Sequence, residues 1–72
     1  MRYSVVNGKG DWVEGISFNS KSEGETWIQE EIEKLGLDYR IGAMVQFRDG
    51  TRIEIVQSKT GEEVKWYNVK SI

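Results

Sequence analysis

The stretch SEGETWIQEEIEKLG, residues 22–36, decides the fold, because it is the segment with a helical pattern between strand-like segments. Ser22 and Glu25 have the spacing of a capping box, in which each side chain bonds a backbone N–H at the helix start. Gly36 suits the left-handed position that ends many helices. One apolar stripe at helical spacing consists of Ile28, Ile32 and Leu35. We therefore predict one amphipathic helix that is held in place by packing against a sheet.

Before the helix, residues 1–6 and 12–18 have the composition of two strands joined by a glycine-rich turn. Pairing them with Tyr3 opposite Ile16 places an apolar face on one side of both strands. The segment before the helix is therefore expected to form a β-hairpin.

After the helix, residues 41–47 alternate between the two faces of a strand, and Asp49-Gly50 indicates a turn. A three-residue loop with Gly50 in a bulge would place Phe47 opposite Thr51 and Val45 opposite Ile53, with Phe47 and Val45 on the core face, so we predict a bulged turn. Residues 62–70 form the last predicted strand. With Ile53 opposite Trp66, Trp66 faces the core.

These elements predict an α+β fold: a five-stranded antiparallel sheet with one helix packed on one face, in the order β-β-α-β-β-β. At 72 residues the chain is expected to be a single domain, residues 1–72. A domain of this size buries only about 60% of its unfolded surface, so its stability margin is small.

The composition limits the chemistry, since the sequence contains no cysteine and no histidine. Disulfides and Cys/His zinc sites are excluded, and the commonest general base and the strongest nucleophile are absent. We therefore expect no enzymatic activity, no metal and no cofactor. The sequence also has no apolar run of about 20 residues and no signal-peptide pattern, which predicts a cytoplasmic protein without a membrane segment.

Net charge is −2 and is unevenly distributed. Five Glu and one Lys lie within residues 23–35, so the helix is acidic, whereas the rest of the chain is faintly basic. This balance lacks the strong basic patch of a typical nucleic-acid binder. The exposed acidic residues of the helix, which could meet a basic partner, are Glu30, Glu31 and Glu33.

The predicted outer face of the sheet combines basic and aromatic residues, namely Arg48, Arg52, Lys65 and Tyr67. Such a surface is typical of protein interfaces, whose hot spots favour Tyr, Trp and Arg. It is also typical of single-stranded nucleic-acid binders, which stack bases on aromatic rings. A third interpretation is an ordinary hydrated sheet face covered by long Lys and Arg side chains.

In its element order, the chain resembles small phage-encoded accessory proteins, including some anti-CRISPR inhibitors with the order β-β-α-β-β-β. The matching features are the turn at residues 7–11, the helix at residues 23–35 and the Asp49-Gly50 turn. The resemblance concerns architecture and includes no functional motif. It implies an inhibitor that binds a host defence protein.

We therefore expect a small binding protein without enzymatic activity that acts by occluding a surface of a partner protein. One alternative is a single-stranded nucleic-acid-binding sheet. Another is a self-associating structural module whose sheet face or edge strand pairs with a second copy.

Overall fold

The computed structural model of the chain describes residues 2–72, in which one helix packs on a four-stranded sheet. The elements, in chain order, are β1 (Tyr3–Asn7), α1 (Lys21–Lys34), β2 (Tyr39–Phe47), β3 (Gly50–Gln57) and β4 (Glu63–Ser71). All strands pair antiparallel in the spatial order β1-β4-β3-β2, so β1 and β2 are the edges. The α+β class and the antiparallel sheet are confirmed. The five-stranded sheet and the order β-β-α-β-β-β are wrong, because the observed order is β-α-β-β-β.

The missing strand is the segment of residues 12–18, which runs beside β1 without forming a regular ladder. Two isolated bridges join it to β1, Tyr3 to Phe18 and Val6 to Trp12. Between them Gly15 adopts a φ of 78°, a left-handed conformation that interrupts an extended strand. Tyr3 therefore faces Phe18 and not Ile16. Met1, which the predicted hairpin included, lies outside the described residues.

The helix begins two residues earlier than predicted. Ser20 is the N-cap, and its hydroxyl accepts a hydrogen bond from the Glu23 backbone N–H at 3.3 Å. The Glu23 carboxylate in turn accepts from the Asn19 backbone N–H at 3.0 Å, so Ser20 and Glu23 form the capping pair. The predicted pair of Ser22 and Glu25 is wrong. The predicted end of the helix is confirmed, because Gly36 has a φ of 89° directly after the C-cap residue.

The core lies between α1 and the sheet, and its fully packed side chains are Val5, Ile28, Ile32, Ile53, Ile55 and Val69. The helix approaches the sheet most closely at Gly24, where an added Cβ would lie 2.7 Å from Val69 Cγ1. Leu35, which we predicted in the apolar stripe of the helix, is 41% exposed. The stripe that seats the helix therefore consists of Gly24, Ile28 and Ile32.

The turn between β2 and β3 is shorter than predicted. Phe47 pairs with Gly50, which leaves a two-residue loop, and Val45 lies opposite Arg52 and not Ile53. Gly50 belongs to β3, where a Cβ would overlap the Val69 carbonyl oxygen, so a glycine is required there by close strand contact. The bulge of β2 lies instead at Gly42.

The pairing of β3 with β4 is one residue out of the predicted register. Ile53 lies opposite Tyr67, and Glu54 lies opposite Trp66. An irregularity between Ile55 and Val56 adds one residue to β4. Because a slip of one residue exchanges the two faces of a strand, Tyr67 faces the helix and Trp66 faces away from it. The prediction that Trp66 faces the core is wrong.

The observed helix start predicts different effects for two neighbouring serines. Ser20→Ala removes the N-cap hydroxyl and should lower the free energy of unfolding by about 1 kcal/mol. Ser22→Ala is the matched control, since it lies in the first turn and should change stability by less than about 0.5 kcal/mol. Urea denaturation followed by circular dichroism measures both. A larger loss for Ser22→Ala would place the cap at Ser22.

Because Gly24 lies so close to Val69, replacing it with alanine should destabilise the protein, although alanine has the higher helix propensity. Gly24→Ala should lower the free energy of unfolding by about 1–3 kcal/mol, because the new methyl group overlaps the stiff Val69 side chain. In the Gly24→Ala/Val69→Ala double variant the loss should be smaller than the sum of the two single losses. Additive losses in this double-mutant cycle would contradict the contact.

Candidate functional site: the open face of the sheet

The face of the sheet opposite α1 carries the candidate site. Alternation along the strands places on it Ala43, Val45 and Phe47 from β2, Arg52 and Glu54 from β3, and Trp66, Asn68 and Lys70 from β4. We call these eight residues the open face. The helix contacts all four strands from the other side. Toward β1, Ser4 and Val6 are buried on this side of the sheet, so the open face spans β2, β3 and β4.

Arg52 occupies the centre of the open face in a fixed arrangement. Its guanidinium carbon lies 4.3 Å from the centroid of the Trp66 ring, within the range of a cation–π contact. Its Nε lies 3.4 Å from a Glu54 carboxylate oxygen, and its Nη2 lies 3.9 Å from a Glu63 oxygen. These contacts hold the Arg52 guanidinium over the tryptophan ring and partly neutralise its charge.

Apolar side chains continue the face toward the edge strand. Val45 lies directly opposite Arg52 and is 44% exposed, and Phe47 is 50% exposed. Both point away from the core because the bulge at Gly42 reverses the alternation of β2 relative to Ile41, which faces the helix. The open face therefore combines an exposed apolar strip with an arginine–tryptophan stack.

The charge of this side of the sheet is positive overall. Its cationic groups are Arg52, Lys70, Arg40 on β2 and Arg48 in the adjoining turn, against the carboxylates of Glu54, Glu63 and Asp49 in the same turn, so four positive charges stand against three negative ones. The helix on the opposite side is acidic. The molecule therefore presents surfaces of opposite charge on its two sides.

The structure separates the predicted basic and aromatic site residues. Arg52 lies on the open face and Arg48 lies exposed in the β2–β3 turn. Tyr67 is half-buried on the helix side, where its ring meets Trp27 edge-on at 6.2 Å between centroids. Lys65 lies on the same side, with its Nζ 5.9 Å from the centroid of the Tyr67 ring. Lys65 and Tyr67 therefore do not belong to one surface with Arg52.

The predicted acidic residues form a separate surface on α1. Glu30 and Glu33 are exposed, and Glu31 lies 3.6 Å from the ammonium group of Lys34. An exposed ion pair at this spacing contributes little to stability. The acidic helix remains a second candidate surface, distant in the fold from the open face.

A groove borders the open face at Trp66. It has a volume of about 660 Å³ and lies where β1 ends beside the start of β4; its walls are residues 7–9 and 63–67. β1 pairs with β4 only as far as Tyr67, so the first four residues of β4 extend beyond their neighbour. The groove is open and has charges of both signs, which suits an extension of a binding surface.

Other classes of site find no support among residues 2–72. No group of three or more acidic side chains in this part of the chain is placed to hold a metal ion. No helix within it is long and apolar enough to cross a membrane. Comparison of the chain with protein-family models, with curated proteins and with solved structures found no match.

Sequence reasoning missed Val45, Phe47 and Trp66 as members of the open face, because it assigned them to the core side. One signal for β2 was present, since an isolated glycine inside a strand pattern indicates a bulge, and Gly42 is such a residue. No comparable signal marks the extra residue of β4.

The register of β4 predicts unequal effects at two adjacent aromatic residues. Tyr67→Ala should lower the free energy of unfolding by about 2–3 kcal/mol, because the ring packs against Trp27 and the core. Trp66→Ala removes a contact on the open face and should cost about 1 kcal/mol. Chemical denaturation of both variants measures the difference. A larger loss of stability for Trp66→Ala than for Tyr67→Ala would contradict this register and support the one in which Trp66 faces the core.

Proposed function

We propose that the chain is a binding protein that docks its open face on a second protein and acts by occluding the surface it covers. The observation that carries this proposal is the exposure of Val45 and Phe47 beside the Arg52–Trp66 stack. Single exposed apolar residues are ordinary, whereas a contiguous patch with a polar border is characteristic of an interaction site.

The residue types on the face support a protein partner. Arginine and tryptophan are the side chains most enriched at interface hot spots, together with tyrosine. Here Arg52 is already held against Trp66 by Glu54 and Glu63, so binding would cost little additional side-chain entropy. The face is thus preorganised for contact.

The charges define the chemistry of the partner. Arg40, Arg48 and Lys70 surround the apolar strip and are exposed. A complementary surface has an apolar centre and an acidic border, since complementary charges speed encounter and select partners. We therefore propose a partner protein with an acidic-bordered apolar patch.

A single-stranded nucleic acid fits the open face less well. The predicted nucleic-acid surface combined Arg48, Arg52, Lys65 and Tyr67, of which Lys65 and Tyr67 lie on the other side of the sheet. Glu54 and Glu63 beside Arg52 would repel a phosphate backbone. The resemblance to anti-CRISPR inhibitors adds nothing here, because it rests on an element order that the chain does not have.

The experiment compares three tagged forms of the protein as baits in the lysate of its native host: wild type, an open-face variant and a helix variant. The open-face variant is Trp66→Ala/Lys70→Glu, and the helix variant is Glu30→Lys/Glu33→Lys. Each lysate is divided and half is treated with nuclease. We expect one nuclease-resistant protein with wild type and with the helix variant, reduced at least about tenfold with the open-face variant.

Three results would contradict the proposal. Loss of the partner with the helix variant alone would assign binding to the acidic surface of α1. Loss of all captured material after nuclease treatment would favour the nucleic-acid alternative. Equal capture by all three baits would show that neither surface binds. Circular dichroism of the variants establishes that each is folded.

A further inference from the structure

The backbone N–H and C=O groups along the outer edge of β2 are a second feature, distinct from the β2 side chains that belong to the open face. β2 is the last strand of the sheet, so along its nine residues, Tyr39–Phe47, one side has no neighbouring strand among the described residues. Free strand edges are templates for pairing, and proteins usually protect them with charges, prolines or bulges. In β2 the first half contains Arg40 and the bulge at Gly42, and at the other end the Lys21 ammonium group of α1 lies 3.1 Å from the Phe47 carbonyl oxygen.

The second half of β2, residues 43–47, has the sequence AMVQF, without charge or proline. Val45, Phe47 and Met44 are all substantially exposed. In the first half, by contrast, the Arg40 side chain lies within 3.5 Å of the Ile41 carbonyl oxygen and partly covers the edge. The part of the edge that carries no charged residue of its own is therefore residues 43–47.

We propose that residues 43–47 of two copies of this chain pair antiparallel about a twofold axis, with Val45 opposite Val45. Two four-stranded sheets would then join into one continuous sheet. This inference goes beyond the proposed partner-binding function and does not depend on it, because it uses the strand edge and a second copy.

The backbone orientation of β2 supports this register. The Ser71 N–H donates to the Asp49 carbonyl, so the odd-numbered residues at this end of β3 bond toward β4 and the even-numbered residues bond toward β2. Phe47 and Val45, opposite Gly50 and Arg52, therefore bond inward. The N–H and C=O groups of Met44 and Gln46 point outward.

With Val45 opposite Val45, Met44 lies opposite Gln46 of the second copy. Both residues direct their backbone groups across the axis and can exchange the paired hydrogen bonds of an antiparallel ladder. The twofold axis repeats the same exchange between Gln46 and Met44 on the other side.

The side chains on the open-face side are complementary in this register. Ala43 lies opposite Phe47 of the second copy, so a small residue faces a large one on both sides of the central Val45 pair. Arg48 lies opposite Gly42 of the second copy, so this pair brings no two like charges together. Moving the centre of the pairing to Met44 would bring the bulge at Gly42 into the ladder. The register centred on Val45 is therefore the one that pairs all five residues 43–47 and leaves the bulge outside the ladder.

A five-residue strand pair buries less surface than the 1,200–2,000 Å² or so of stable protein complexes. Dimerisation should therefore depend on concentration. We expect the weight-average mass of the purified protein to rise from the monomer value of 8.3 kDa toward twice that value between micromolar and millimolar concentration. Sedimentation equilibrium measures this mass.

The position of Val45 on the axis gives a specific test. Val45→Lys and Val45→Glu each place two like charges face to face, so each variant alone should dimerise at least about tenfold more weakly than wild type. An equimolar mixture of the two should form a heterodimer, since the introduced lysine of one copy then faces the introduced glutamate of the other. Val64→Lys is the matched control, because Val64 on β4 is equally exposed, at 45%, and lies away from this edge.

The proposal is wrong if the wild type stays monomeric at millimolar concentration, or if Val45→Lys dimerises as strongly as Val64→Lys. It is also wrong if the mixture of Val45→Lys and Val45→Glu forms no heterodimer, because the register would then differ. Circular dichroism of the substituted proteins separates a lost edge contact from a lost fold.

Discussion

The contact between Gly24 of α1 and Val69 of β4 is the constraint on which the rest of the structure depends. A glycine at this point lets the helix approach the centre of the sheet more closely than any side chain would allow. The next residue, Glu25, also reaches the sheet, where its carboxylate accepts a hydrogen bond from the nearly buried Thr51 hydroxyl at 2.7 Å and from the Gln46 amide at 3.1 Å. The apolar contact sets the distance between helix and sheet, and the polar contacts set the position of the helix along it.

The position of the helix on the sheet also determines which side chains remain available for function. Only one layer of helix covers the sheet, so β2, β3 and β4 each have one face toward the helix and one face that contributes to the open face, whereas the centre of β1 is buried on both faces. The register that places Ile53 and Tyr67 under the helix necessarily places Arg52 and Trp66 on the other side. Stability and the candidate binding surface are therefore two results of the same strand pairing, and a one-residue slip would alter both.

Much of the fold follows from local patterns in the sequence. The helix, its end at Gly36 and the positions of the last three strands could be predicted, because helical spacing, strand alternation and turn residues are local signals. The faces of β2 and β4 were predicted wrongly, since each depends on a single inserted residue; Gly42 is a signal for the one in β2, whereas no local signal marks the one in β4. The candidate site was consequently predicted in part: Arg52 was placed on the open side, whereas Tyr67 and Lys65 were exchanged with Trp66 and its neighbours.

The two edges of the sheet differ, because the chain covers the β1 edge and leaves the β2 edge without a neighbouring strand among the described residues. Residues 12–18 lie along β1 through the bridges at Phe18 and Trp12, and the Ser4 hydroxyl donates to the Ile16 carbonyl at 2.9 Å. This irregular segment occupies the β1 edge without offering a regular strand to a further neighbour. Association through β2 about a twofold axis would therefore leave a covered edge at both ends of the joined sheet. Growth would stop at two copies, and the fold would not propagate into a fibre.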